Sequence, residues 1–250
     1  DFVLRWFAQG DAAVPAEGMG AIPGQLAATL PPESIHLNRR VASLARDGAD
    51  FIVGFGGDAE PIRSRQLILA VEEPAARKLL AGIGLDKRIE RRGPMRGVTA
   101  MYFAAPTAPM AETMLMLNGD GPSAGPVNNL AIMSEVSRAY APEGQSLISI
   151  SIVGIPDLPQ SRLEDEVRAQ MRQWFGAESV DAWSHLATYR IHHALPDQGP
   201  PALEPVIRTP ELAEGLYLAG DYRETGSIHG AMHSGRMAGI ALARSAAAAF

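Results

Sequence analysis

The chain has 250 residues, 46% of them apolar and 20% charged, with a formal charge of −6 and no cysteine. That is enough length and apolar content for one large domain or two small ones. Its 25 glycines and 19 prolines stay below the share that marks low-complexity chains, so disorder and collagen-like structure are excluded. An acidic balance without a Lys/Arg-rich run argues against nucleic acid as a partner. The lack of cysteine removes disulfides, zinc–thiolate sites, iron–sulfur clusters and a cysteine nucleophile.

The first segment, from Arg5, carries turn signals at Gly10-Asp11, Pro15, Gly18-Met19-Gly20 and Pro23-Gly24. A short helix over Gln25 to Leu30 then meets the stop Pro31-Pro32. Strands are predicted at Ile35 to Asn38, Val41 to Ala45 and Phe51 to Phe55, the last two joined by the hairpin signal Asp47-Gly48. Gly56-Gly57-Asp58 turns the chain toward Gln66 to Val71, an apolar run of the kind buried on both faces. A helix with Pro74 in its first turn and Leu79-Leu80 inward follows.

The middle of the chain predicts an antiparallel sheet from Val98 to Phe103, Met114 to Leu117, Leu130 to Met133 and Ser146 to Val153, with turns such as Asn118-Gly119-Asp120-Gly121-Pro122 between. Leu163, Val167, Met171, Trp174 and Phe175 fall at helical spacing, and Ser161 with Glu164 has the form of a capping box. A buried strand, Leu216 to Gly220, ends at Asp221, and a loop from Tyr222 to Ser227 leads into a helix from Ile228 to Ala247. The architecture read here is α plus β, with a parallel-type strand at two separated places. No apolar run approaches the roughly 20 residues of a spanning helix, and the opening Asp1-Phe2-Val3-Leu4-Arg5 has no signal-peptide pattern. The expected location is cytoplasmic.

The terminal segment carries the chemistry. A buried strand that stops at Gly-Asp and turns into a helix sets free N–H groups and the positive end of a helix dipole beside the strand's carboxyl end, where open α/β sheets bind ligands. Gly220 lets a diphosphate approach the main chain. Asp221 can accept hydrogen bonds from sugar or ribityl hydroxyls, and the Ile228 N–H can donate to an electron-rich carbonyl or ring nitrogen. Gly230, Ala231, Ser234, Gly235, Ala238 and Gly239 allow close packing, with Ile228, Met232, Ile240 and Leu242 as the expected core contacts of the helix. The same pattern also fits a helix with a small-residue packing face and no ligand.

At these residues the sequence resembles the C-terminal end of the flavin-containing amine oxidase superfamily, with its phytoene desaturase-like and protoporphyrinogen oxidase-like branches. The matching strings are Leu216-Tyr217-Leu218-Ala219-Gly220-Asp221, Gly226-Ser227-Ile228-His229-Gly230-Ala231 and Ser234-Gly235-Arg236. Val14-Pro15-Ala16-Glu17-Gly18-Met19-Gly20 resembles the family's Pro-x-Gly-Gly/Met segment. Val41-Ala42-Ser43-Leu44 is similar to the strand whose Val holds adenine by its backbone, and Leu67-Ile68-Leu69-Ala70 to the strand beside the ADP moiety.

The resemblance implies an α/β (α+β) fold, with a partial FAD/NAD(P)-binding Rossmann-type domain and an antiparallel-sheet substrate domain with helices. The implied segments are 1–30 (end of a substrate-domain segment), 31–75 (FAD-binding), 76–212 (substrate-binding) and 213–250 (FAD-binding). It implies FAD as cofactor, held by Val41, Ala70, Gly220, Asp221, Ser227 and Ile228, with Gly220 and Asp221 at the diphosphate and ribityl region and the Ile228 amide at the flavin N1/O2 edge.

The sequence departs from the family at two points. The family's opening strand and GxGxxG loop have no counterpart: Gly54-Phe55-Gly56-Gly57 lies in a hairpin, and Gly82-Ile83-Gly84 reads as a helix C-cap. Together with Asp at position 1, this leads to the expectation of a C-terminal portion whose N-terminal FAD-binding part lies in the same or a partner chain. The amine oxidases' Lys near flavin N5 also has no match on the strand Val98 to Phe103. That favours a desaturase-like or other dehydrogenation over amine oxidation.

His229 and His233 have two-His metal spacing but no evident third ligand, so no metal is expected. One of His192-His193 is a candidate to line a substrate cavity, but a solvent-facing or core-satisfied histidine is the favoured reading. No GxSxG anchors hydrolase chemistry. Met101, Met110, Met114 and Met116 read as core filling or an apolar cavity wall, the latter implying an apolar small-molecule substrate. The expected function is an oxidoreductase in which non-covalent FAD, untethered for want of cysteine, takes a hydride from such a substrate. The alternative is a non-catalytic binding domain that retains the flavoprotein fold. No catalytic acid, base or nucleophile is assigned.

Overall fold

Glycine and proline set the element boundaries in this fold. The computed structural model describes residues 13–89, 93–200, 204–205 and 208–248; Asp1 and the Gly10-Asp11 turn lie outside them. In chain order the elements are α1 (Ala21–Ala27), β1 (Val41–Asp47), β2 (Asp50–Phe55), β3 (Ile62–Ser64), β4 (Leu67–Leu69), α2 (Glu73–Ala81), β5 (Met95–Ala105), β6 (Met116–Leu117), β7 (Asn129–Ile132) and α3 (Met133–Val136). After these come β8 (Ser146–Val153), α4 (Gln160–Phe175), α5 (Ala177–Asp181), β9 (Ser184–Pro196), β10 (Glu211–Ala213), β11 (Leu216–Leu218) and α6 (Ile228–Ala248). Contacts divide the chain into two units, one of residues up to Ile35 with Val98–Ile191, the other of His36–Gly97 with His192 onward. No helix among the described residues is long and apolar enough to cross a membrane.

The first unit is built on a five-stranded sheet in the order β6-β7-β8-β5-β9. Strands β5 and β8 pair antiparallel with Met101 opposite Ile150 and Phe103 opposite Ile148. Period-two alternation sends these residues to one face, where they meet Leu163, Val167 and Met171 of α4 in a closed core. Each such side chain contributes about 1.5–3 kcal/mol of burial. The helix α4 occupies the predicted span, but its N-cap is Pro159 and no side chain caps it. Ser161 therefore lies inside the helix, and Glu164 pairs with Arg168 one turn on at 2.9 Å, in place of the expected capping box.

In the second unit, Gly48 at φ 61° supplies the positive angle a two-residue hairpin loop demands, and β1-β2-β3 form an antiparallel sheet. A second sheet, β10-β11-β4, contains the parallel pair: Leu216 faces Leu67, Tyr217 faces Ile68 and Leu218 faces Leu69. One face of this pair carries Leu69, Leu216 and Leu218 into a core with Leu44, Phe51, Ala76 and Leu80. The other carries Ile68, Tyr217 and Ala219 against Ala238, Ala241 and Leu242 of α6. A parallel pair covered on both faces, with a helix on one, is the Rossmann-type arrangement.

Several predicted boundaries move. Ile35 to Asn38 is no strand: Glu33 and Asn38 take positive φ (65° and 58°), and Ile35 and Leu37 are exposed. The first helix runs from Ala21 to Ala27 in place of Gln25 to Leu30, because Pro31-Pro32 disfavours helix in the residues before it. Only Met116 and Leu117 of the Met114 to Leu117 run are paired, and β4 is three residues of the predicted six. Met133 opens α3 and does not end a strand. Strand β10 and helix α5, too short to leave a periodic signal, went unpredicted.

Candidate functional site

Because β4 and β11 are parallel, both end on the same edge of their sheet. The Ala219 N–H donates to Leu69 O at 3.0 Å, which carries the pairing to the last residue before Gly220. Ala70 leaves β4 at this edge and leads through Glu72 into α2, with Pro74 in the first turn. Gly220 leaves β11 and leads through a 3-10 turn, Asp221–Arg223, into the loop before α6. The crest formed by these two strand ends and two helix starts is where a doubly wound sheet presents its ligand site.

Gly220 is required here for two structural reasons. Its φ is 152°, and a Cβ would lie 2.5 Å from the Tyr222 ring. Its N–H donates to the buried Ser234 Oγ of α6 at 3.2 Å, tying the strand end to the helix. Asp221 is half-buried and makes no ion pair among the described residues; burial raises its carboxyl above the ordinary value, against the backbone N–H of Tyr222, which lowers it. Its oxygens suit donors such as hydroxyls. Tyr222 is buried, its hydroxyl without a partner among the described residues, and burial pushes the phenol up to about 12. Arg208 donates to Tyr222 O, and the buried Arg223 donates to Thr209 O at 2.8 Å, so the turn is clamped from the chain preceding β10.

The loop into α6 is fixed equally closely. Ser227 Oγ accepts the Gly230 N–H at 3.0 Å, the bond of an N-cap residue, and the Ala231 N–H returns to Ser227 O at 2.9 Å. Gly230 is buried so tightly that a Cβ would stand 2.0 Å from Thr225 O. Glu224, nearly buried, pairs with His233 Nδ1 one and a half turns into the helix. Ile228 heads α6 with its side chain 50% exposed, and the amides of Ile228 and His229 belong to the first turn, which a helix leaves without internal acceptors. An anionic or electron-rich group placed there meets both donors and the dipole.

The structure therefore gathers Ala70, Gly220, Asp221, Ser227 and Ile228 at one crest. Val41 belongs to the same unit but sits at the start of β1, opposite Phe55 and beside a bulge at Ala42, on a different sheet from β4 and β11. His233 is engaged by Glu224 and does not pair with His229, which is exposed. His193 Nδ1 stands 3.4 Å from Glu72 Oε1 at the start of α2. Arg208, Arg223 and the Glu224–His233 pairing were not singled out from sequence; Ser234 was, as a small packing residue and part of the Ser234-Gly235-Arg236 string, but not as the acceptor of the Gly220 N–H. In the first unit, Met101 is core, whereas Met110, Met114 and Met116 line an open surface pocket of about 560 Å³ with Trp174 and Phe175, Met114 itself being exposed.

On helix α6, Gly230, Ser234 and Ala238 are the buried stripe. The expected core contacts Ile228 and Met232 are exposed, and a Cβ on Gly235 or Gly239 would meet nothing. The four lie at 228, 232, 235 and 239, one face uncovered among the described residues, because the sheet selects the smaller residues for closest approach.

A flavin nucleotide fits what is here: a half-buried acceptor at Asp221 for hydroxyls, first-turn donors at Ile228 and His229, and a chain packed closely around Gly226 and Gly230. A search of curated proteins finds no match. Among solved structures, the chain resembles a protein of Exiguobacterium sp. 255-15 provisionally named a protoporphyrinogen oxidase (14% identity, TM-score 0.70, 92% of this chain and 51% of that one). It also resembles a conjugated-linoleic-acid-producing fatty acid isomerase of P. acnes (17%, 0.64, 93% and 54%) and cyclohexylamine oxidase of Brevibacterium oxydans IH-35A (15%, 0.62, 91% and 52%). The likeness shows a shared fold, and the chain spans about half the length of these structures. The profile of the flavin containing amine oxidoreductases matches residues 4–239, nearly the whole sequence, and the chain belongs to that family.

Proposed function

We propose that the chain forms the C-terminal part of an FAD-dependent oxidoreductase, with the second unit holding non-covalent FAD and the first shaping the site of an apolar organic substrate. When bound, FAD supplies acceptance of a hydride from a substrate C–H bond. The observation that carries the reading is the crest itself, where Asp221 and the head of α6 at Ser227-Ile228 stand beside the ends of two parallel strands. Asp221 orients the cofactor through its hydroxyls. The first-turn amides at Ile228 and His229 stabilise negative charge that develops at the electron-rich edge on reduction. The methionine-lined pocket of the first unit supports an apolar substrate.

Two surfaces support a further stretch of polypeptide, in the same or a partner chain, that completes the nucleotide site. Strand β4 is the outer member of its sheet among the described residues, yet Leu69 is buried and Leu67 and Ile68 are half-buried, the pattern of an interior strand. The 228/232/235/239 face of α6, uncovered among the described residues, is apolar and carries two glycines, suited to a neighbouring helix. A strand, phosphate-binding turn and helix would cover both.

The test is Ile228→Pro in the FAD-loaded protein. Proline is accepted at the first helical position, and an N-cap residue already has the extended geometry proline asks of its predecessor. The change thus deletes one amide hydrogen with α6 intact. We expect a more negative flavin midpoint potential with unchanged helicity; an unchanged potential would contradict the assignment.

A further inference from the structure

Residues His193 to Gln198 run between the two sides of the crest. At one end His193 reaches Glu72, two residues beyond Ala70, at 3.4 Å. At the other, Gln198 Oε1 accepts the Gly226 N–H at 3.2 Å, two residues before Ile228. A Cβ on Gly226 would meet Gln198 Nε2 at 2.8 Å and Pro196 Cδ at 3.1 Å, so the two segments are in close contact. Asp197 fixes the approach. Its carboxylate accepts the Gly199 N–H at 3.2 Å, closing an Asx turn with Gln198 at the centre, and pairs with Arg96 at 3.3 Å. The Gly199 hydrogen bond, and then Arg96, hold the Asp197 carboxyl below its ordinary value.

Gln198 is an exposed side chain with a committed carbonyl. Its amide nitrogen lies against the same loop, and among the described residues nothing accepts from it. We propose that Gln198 is a positioning residue of the cofactor site. Its carbonyl anchors Gly226 and through it the Ser227-Ile228 entrance of α6, and its NH₂ group is presented to an electron-rich ligand edge beside the Ile228 amide. The second half of this assignment rests on the flavin reading above; the first half does not.

The experiment compares Gln198→Ala with Gln198→Glu. In the chain without ligand, amide hydrogen exchange at Gly226 should accelerate in Gln198→Ala and stay protected in Gln198→Glu, whose carboxylate still accepts the N–H. In the FAD-loaded protein, Gln198→Ala should raise the FAD Kd about three- to tenfold, the loss of one hydrogen bond. Gln198→Glu should leave affinity closer to wild type and lower the flavin midpoint potential, since an anion replaces a donor. Because Gln198 is exposed, the Tm of both variants should match wild type. Unchanged Gly226 exchange in Gln198→Ala overturns the anchoring role. Unchanged affinity and potential in both variants, in a protein that does bind FAD, overturns the ligand role. A wild-type protein completed with the missing strand, turn and helix that still binds no FAD overturns the flavin reading and the ligand role with it, while the Gly226 exchange still decides the anchor.

Discussion

The role proposed for Asp221 comes at a cost in stability. Burial raises its carboxyl pKa in the folded chain, so the folded state favours the neutral acid. The sign follows: the group imposes no penalty below its unfolded pKa, and the penalty grows as pH rises through the folded value and the buried carboxylate ionises. We predict that Asp221→Asn raises Tm at neutral pH, with the gain shrinking toward acid pH, while weakening FAD binding. A thermal melt series across pH with a parallel FAD titration checks both halves; a variant that loses Tm at neutral pH would sink the argument. Asp221 and Ile228 were legible in the sequence because a local string, strand-Gly-Asp-loop-helix, places them. The bonds that hold them were not. Gly220 to Ser234 and Gly226 to Gln198 join residues 14 and 28 positions apart, through side chains whose partners only the tertiary fold selects.

At the scale of elements, α6 shows what periodicity leaves open. Its sequence has small residues on two faces, and nothing local says which face meets the sheet, so the expectation that Ile228 and Met232 would be core failed. The structure makes the faces unequal. At Gly230 a Cβ would press on Thr225 O, whereas at Gly239 it meets open space. Gly230→Ala should therefore destabilise the chain by about 1–3 kcal/mol. Gly239→Ala should stabilise it by about 0.5–1 kcal/mol, the ordinary helix preference for alanine. Denaturant unfolding of the two variants decides the matter, and similar effects at both positions would show the packing to be misread. The hairpin at Asp47-Gly48, β8 and the span of α4 were legible for the opposite reason: a turn signal, strict alternation and an amphipathic repeat each admit one arrangement. The short β10 and the turn at Ile35 to Asn38 had no such redundancy, and positive φ at Glu33 and Asn38 is a choice the local sequence does not announce.

At the scale of the whole molecule, the chain belongs to the flavin containing amine oxidoreductases and spans about half of the structures it resembles. Its second unit carries the proposed nucleotide site, with, among the described residues, an outer strand built like an inner one and a helix face left uncovered. Among the described residues of that unit no glycine-rich loop leads from a strand into a helix in the GxGxxG manner: Gly56 and Gly57 follow β2, and Gly82 caps α2 with Gly84, at φ 71°, just beyond it. The most direct measurement of the central claim is FAD stoichiometry, read by flavin absorbance, for the purified chain alone and for the chain joined to or co-expressed with a family segment bearing a strand, GxGxxG turn and helix. The account predicts a colourless chain alone and close to one FAD per molecule in the completed protein. A completed protein that takes up no FAD would contradict the function, and a chain that binds FAD one to one by itself would contradict the need for the added strand and helix.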